Sequence, residues 1–242
     1  EINNKYPYGG NNAADNSGVM TYVSICYAGA RSTQDIEHNG LTLNGVGNGT
    51  TIENIYVLES ADDAIEFFGG TVNVKNLLAV NSDDDMFDFT QGYCGTLSNC
   101  YGIWESDYTS TEADPRGIEA DGNFDGLYPN HLRQSDFVVD GMTIVNNAAN
   151  TTDNVDRMQD VIKIRRGAKA TIKNALVKGT GGAIDLVDMN DGKGAGNAAS
   201  TISITNSLQL TGKKLNGEAV LNEAGSNTGA DTSVFGWTKY NF

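Results

Sequence analysis

Two stretches of this chain bring carboxylates together at a spacing that could do chemistry. Asn54 to Phe67 reads NIYVLESADDAIEF and Asn76 to Phe89 reads NLLAVNSDDDMFDF, and the two align without a gap. The offset is 22 residues, and it sets Asp62-Asp63 on Asp84-Asp85 and Glu66 on Asp88. Five acids of two successive turns, Asp62, Asp63, Asp83, Asp84 and Asp85, then converge on one corner as the metal candidates. Carboxylate and carbonyl oxygens in such numbers are the ligand set of Ca2+, the one cofactor expected. The same side chains also cap turn N–H groups without any metal. The sequence matches neither an EF-hand loop nor a nonapeptide calcium repeat.

A second line of acids runs along the next strand. Thr42, Glu66, Asp88, Glu119, Lys163 and Asp185 form an outward column in this register. Neighbours in the column would stand ~4.8 Å apart, where like charges destabilise one another unless a proton or a cation intervenes. Glu66, Asp88 and Glu119 are therefore the catalytic candidates, as acids with raised pKa. The plain alternative is a solvated face relieved by Lys163 and Arg165. Aromatic candidates for ligand binding are Trp104 and Tyr108, at an insertion over 105–116, and Tyr128. Their rings suit a sugar, or simply cover the open side of the fold. His38 and His131 fall in turns with no partner in a recognisable motif.

These groups need a scaffold that repeats about every 22 residues. Alternation in Thr51-Ile52-Glu53, Ile65-Glu66-Phe67, Phe87-Asp88-Phe89 and Ile162-Lys163-Ile164 has period two, the signature of strands. No helical run of a dozen residues is present to carry crossovers, so successive parallel strands must return by coiling. The expected fold is all-β, a right-handed parallel β-helix, one domain over 1–242. Irregular insertions fall near 105–116, 121–136, 187–200 and 211–233. Asn54, Asn76, Asn99, Asn174 and Asn206 are expected to stack at a corner, since Asn accepts the left-handed conformation and its amide can bond the next rung.

Bulk composition agrees. The chain has 242 residues, 29 of them Gly and only 3 Pro, and 39% apolar residues suffice for thin coils. Its net charge of −15 opposes binding to nucleic acid or to an anionic membrane surface. No stretch approaches the ~20 apolar residues of a spanning helix. The opening Glu1-Ile2-Asn3-Asn4 is polar, as expected of a cytosolic protein or of a trimmed, exported one. Abundant Asn, Thr, Gly and Ser lean towards a bacterial surface protein. The odd set Cys26, Cys94 and Cys100 excludes complete pairing; Cys94 and Cys100 could meet across a turn. Cys26 and Cys100 read as small buried hydrophobes on strands.

The strings DNSGVMTYVSICYAG (15–29), HNGLTLNGVGNGTTIENIYV (38–57), DDAIEFFGGTVNVKNLLAV (62–80) and DDDMFDFTQGYCG (83–95) carry a resemblance as well. They are similar to a family of secreted bacterial β-helix proteins, widespread in Bacteroidetes, as is the closing Phe235-Gly236-Trp237-Thr238. The likeness is looser through GIEADGN (117–123) and KIRRGA (163–168). It implies extracellular display, lipid-anchored or surface-exposed, and brings no reaction or catalytic residues with it. Members of that family carry further N-terminal coils with a Trp-Gly-Gly element, which implies that a chain opening at Glu1 is processed or shortened.

Three functions are expected from these features. One is binding or adhesion, with a glycan or a surface protein as partner. A second is a polysaccharide lyase or glycoside hydrolase using the carboxylate column. The third is self-association through coil ends.

Overall fold

The computed structural model describes residues 8–29, 38–148 and 158–242. The opening Glu1 to Asn4 lies outside them. Two parallel sheets carry the chain, and strands alternate between them. The eight-stranded sheet holds β1 (Val19–Cys26), β3 (Thr51–Leu58), β5 (Asn73–Val80), β7 (Thr96–Trp104), β9 (Asp136–Asn146), β11 (Lys169–Lys178), β13 (Thr201–Asn206) and β15 (Val220–Glu223), in that spatial order. The seven-stranded sheet holds β2 (Leu41–Asn44), β4 (Ile65–Phe68), β6 (Phe87–Thr90), β8 (Ile118–Asp121), β10 (Met158–Arg165), β12 (Gly182–Asp188) and β14 (Gln209–Leu210). Each coil thus donates one strand to each sheet, which is a parallel β-helix. The insertion at 105–116 lies between β7 and β8. Strand β15 falls inside the stretch 211–233 expected to be a loop, and β12 runs on to Asp188 inside the expected loop 187–200.

The core is the space between the sheets. Phe67 and Phe89 stack at 5.1 Å, Phe89 and Phe137 at 4.1 Å, and Tyr93 tilts onto Phe67 at 4.4 Å. All four rings are fully buried. Tyr93 satisfies its hydroxyl by donating to the Val72 carbonyl at 2.8 Å. Cys100 joins this core, whereas Cys26 is exposed on β1, contrary to its expected burial. Among the described residues the three thiols are free, so Cys94 and Cys100 do not pair.

The asparagine corner forms. Asn54, Asn76, Asn99 and Asn174 all take positive φ, between 50° and 59°. Asn76 Nδ2 donates to Asn54 Oδ1 at 2.9 Å, and Asn99 Nδ2 to Asn76 Oδ1 at 2.8 Å. Gly141, with φ 73°, fills the rung between Asn99 and Asn174. Asn206 is not in the ladder: a register shift after Ile172 pairs it with Val177.

The outer face of the eight-stranded sheet is also apolar. Tyr56, Leu78, Val80, Tyr101, Ile103 and Val145 form a second cluster there with Phe235. The covering segment runs back from β15 and contains a 3-10 helix, Thr232–Thr238. It is latched to the ladder, since Asp231 N donates to Asn99 Oδ1 at 2.6 Å and Thr228 N to Asn174 Oδ1 at 2.7 Å. Tyr240 donates to Glu105 at 2.9 Å, and Trp237 meets Tyr22 of β1 edge-on at 5.6 Å. Continuous apolar runs such as Leu77-Leu78-Ala79-Val80 mark strands buried on both faces.

Candidate functional site

Strands β2 to β12 present one outward column: Thr42, Glu66, Asp88, Glu119, Lys163 and Asp188. Its last member is Asp188, not Asp185. Ala183-Ile184-Asp185-Leu186 pairs with the start of β10, so Asp185 stands opposite Asp160. The expected register took similar strings as equivalent and slipped by three residues.

The acidic corner and the column meet in one site. Asp63, Glu66 and Asp88 each place a carboxylate oxygen within 4.8 Å of the others, and Asp62, Asp63 and Asp84 do the same, so Asp63 belongs to both groups. Rung pairing aligns the acids: Asp85 N donates to Asp63 Oδ1 at 3.0 Å. Asn39 Nδ2 donates to Glu66 Oε2 at 2.5 Å. The Oδ1 atoms of Asn39, Asp84, Asp85 and Asp88 are buried without a donor. Asp63 and Asp85 are only 5% and 3% exposed.

Burial is the main cause that pushes the carboxyls up, and neighbouring acids add to it. Glu66 rises to about 7, with the Asn39 and Asp88 hydrogen bonds pulling against burial. Asp63, Asp85 and Asp88 are pushed well above the usual carboxylate range. Such a group stays protonated or takes a cation. Hard oxygens, one neutral amide carbonyl among them, and several orphaned lone pairs fit Ca2+. Asp83, expected among the ligands, is spent elsewhere. Its carboxylate accepts from Tyr108 Oη at 3.1 Å and from Thr111 N at 2.7 Å, which fastens the insertion.

Further along the same face the acids are neutralised. Arg116 pairs with Asp114 and Glu119, Arg165 with Glu119 and Asp121, Arg166 with Asp121 and Asp191, and Lys163 with Asp188. Arg116 occupies the rung after Asp85: Met86 N donates to the Arg116 carbonyl at 3.1 Å. Burial works against the Arg116 charge, yet Asp85, Glu119 and Asp114 outweigh it and raise its pKa above the ordinary arginine value. A guanidinium so held gives up no proton, so it has no use as a base. Glu119 is engaged by two arginines.

The aromatic candidates separate. Trp104 is 1% exposed and donates its indole N–H to the Ser82 carbonyl at 2.9 Å, so it is core, not a binding surface. Tyr108 is partly buried against Trp104 at 5.9 Å and lines a cleft of about 310 Å3 with Tyr27, Glu59 and Asn81. Tyr128 is exposed and lines a different cleft, also about 310 Å3. The structure brings Asp62, Asp63, Asp84 and Asp85 together with Glu66 and Asp88 of the column, but neither Asp83 nor the three aromatics join them. Sequence reasoning missed Asn39 and Arg116. The pairing of HNGLTLN with DDAIEFF already placed Asn39 on Asp63, whereas nothing local placed Arg116 on Asp85, because an insertion stands between them.

A family model described as a pectate-lyase-like beta helix domain matches residues 1–239, so the chain belongs to that family. No curated protein and no solved structure matches it. Among the described residues, no helix is long and apolar enough to cross a membrane.

Proposed function

We propose that this member of the pectate-lyase-like β-helix family is an exported, surface-displayed protein that binds carbohydrate without cleaving it, and that its acidic corner holds Ca2+. The observation that supports the cation is the set of orphaned oxygens on Asp84, Asp85 and Asp88, in a cluster where no Lys or Arg among the described residues pairs with Asp63, Glu66 or Asp88. The ligands would be Asn39, Asp63, Glu66 and Asp88, with Asp62 and Asp84 beside them. Ca2+ there neutralises charge and fixes the insertion, because Asp83 ties that loop to the same turn. The reading as a binder rather than a lyase or hydrolase is supported by Arg116 and Glu119, whose charges are already taken up by each other and by Asp114 and Arg165.

Thermal melting during Ca2+ titration tests the cation site. At about 100 times the dissociation constant, binding adds about 2.7 kcal/mol, or roughly 5–10 °C for a chain of this length. A Tm that does not move removes the site. A glycan array with and without chelator tests the carbohydrate: retained glycans support it, and an empty array in both conditions sinks it.

A further inference from the structure

We infer that the groove at the corner following β4 and β6 is a saccharide subsite that selects a glycan carrying a single anionic substituent, met by Arg133 and His131. This rests on the carbohydrate reading above and says where and by what chemistry recognition occurs. Two clefts, of about 310 and 560 Å3, share Gln91, His131 and Arg133 and so form one groove. Each volume lies in the range of ligand pockets. Glycines at stacked corners, Gly69 and Gly92, leave its floor without side chains. A Cβ on Gly92 would meet the Arg133 carbonyl at 3.0 Å, so the far wall stands directly against that floor.

The walls offer ring faces and donors. Tyr8 and Phe68 pack edge-to-face at 6.4 Å on one side, and Tyr128 stands exposed on the other. Tyr8 Oη donates to Gln91 Oε1 at 2.6 Å, which leaves the Gln91 amide nitrogen to donate. His131 Nδ1 lies 3.0 Å from the Arg133 carbonyl oxygen and 3.3 Å from Arg133 N, which leaves Nε2 for a ligand. The Arg133 guanidinium pairs with no carboxylate among the described residues, although the chain carries a net charge of −15. An uncompensated guanidinium fork matches a carboxylate or sulfate ester. The wall is preformed. Gln134 Nε2 donates to the carbonyls of Tyr128 at 3.2 Å and His131 at 3.1 Å, and Asn123 Nδ2 donates to the Arg166 carbonyl at 3.0 Å. Preorganisation of this kind lowers the cost of binding.

The neighbourhood limits how much negative charge a ligand can bring. Glu66 lies two residues from Phe68 on β4, and Tyr8 is raised above its ordinary pKa by burial and by Glu66. One anionic group at Arg133 is compatible with that field; a polyuronate, charged on every ring, is not.

Calorimetric titration of the full chain with three probes, each with and without Ca2+, is the test. They are xylotriose, an aldotriouronic acid carrying one glucuronate on xylobiose, and trigalacturonate. The aldotriouronic acid is expected to bind about tenfold or more tighter than xylotriose, the scale of one charge-assisted contact. Arg133→Gln brings it down to the xylotriose level, Tyr128→Ala weakens both, and Ca2+ changes neither. Tightest binding of trigalacturonate, indifference to Arg133→Gln, or no binding of any probe overturns the inference. Glycans retained on the array but insensitive to Arg133→Gln would remove the groove and leave the carbohydrate reading standing. An unmoved Tm in Ca2+ would remove the cation site alone.

Discussion

The outer face of the seven-stranded sheet treats one problem in two ways. Around β4 and β6, Asp63, Glu66 and Asp88 crowd together, and among the described residues no Lys or Arg pairs with them. Around β8 and β10, the same positions on the pleat alternate in sign, and Arg116, Lys163, Arg165 and Arg166 pair with Glu119, Asp121, Asp188 and Asp191. Backbone, burial and pairing are alike. The fold therefore accommodates a closed ionic network at these positions, and the first half differs because its sequence supplies acids alone. A buried group with orphaned lone pairs is completed by a proton or by a cation from solution.

Breaking the closed half has the largest expected effect. Arg116→Met leaves Glu119 with Arg165 alone of its two arginines and takes the positive charge away from Asp114, Asp160 and the rung neighbour Asp85, while those carboxylates stay in place. Loss of one member of a buried pair costs about 3–5 kcal/mol. Urea unfolding should show it, and a loss under ~1 kcal/mol would mean that the two halves do not differ in the way described.

The open half predicts a pH response. Glu66 has a folded pKa of about 7, above its unfolded value, so the folded state binds the extra proton. Its contribution is fully present below the unfolded pKa, near ~4.3, and is lost as pH rises through about 7. Without Ca2+, stability should fall over that window by on the order of 3 kcal/mol, at 1.36 kcal/mol per unit. Ca2+ should restore it at the upper end. Glu66→Gln should remove its own share of the slope, and Asp88→Asn a further share together with the Ca2+ response, while Asp63, Asp84 and Asp85, raised likewise by burial, keep the rest. Asp160, pushed up to about 6 by burial, leaves a smaller residual slope of the same sign. A Ca2+-free profile that rises between those limits would contradict the assignment.

The asparagine ladder provides the smallest effect and the uncharged control. Asn99→Ala removes the amide that bonds both Asn76 and Asp231 and puts a Cβ-bearing residue without a local hydrogen bond at positive φ. A cost of about 1–2 kcal/mol follows, and Asn99→Gly recovers the conformational part. Neither pH nor Ca2+ should alter that cost. Dependence on either would blur the contrast between the two halves.

Much of this is legible in the sequence. The spacing of 22 residues from Asn54 to Asn76 and 23 from Asn76 to Asn99 set the coil, and it set Glu66 on Asp88 correctly. Legibility ended where insertions interrupt the period. Asp85 and Arg116 are rung neighbours separated by a loop whose length carries no register, and Asp185 resembled a column member only because its string resembled the others. Trp104 was misjudged because it adjoins a loop; its position at the end of β7 turns the indole inward. The placement of Arg133 at the groove depends on chain folding at 121–136, where no periodicity exists.

The returning C-terminal segment bears on how the molecule comes apart. In a linear stack each repeat touches only its neighbours, and an end can peel away one coil at a time. Here residues 228–240 reach Asn174, Asn99, Glu105 and Tyr22 in turn. Peeling from the C-terminal end would uncover Tyr56, Leu78 and Tyr101 near the opposite end at the same moment. The segment works as a clasp across the stack, so that a molecule pulled or proteolysed at one end resists as a whole.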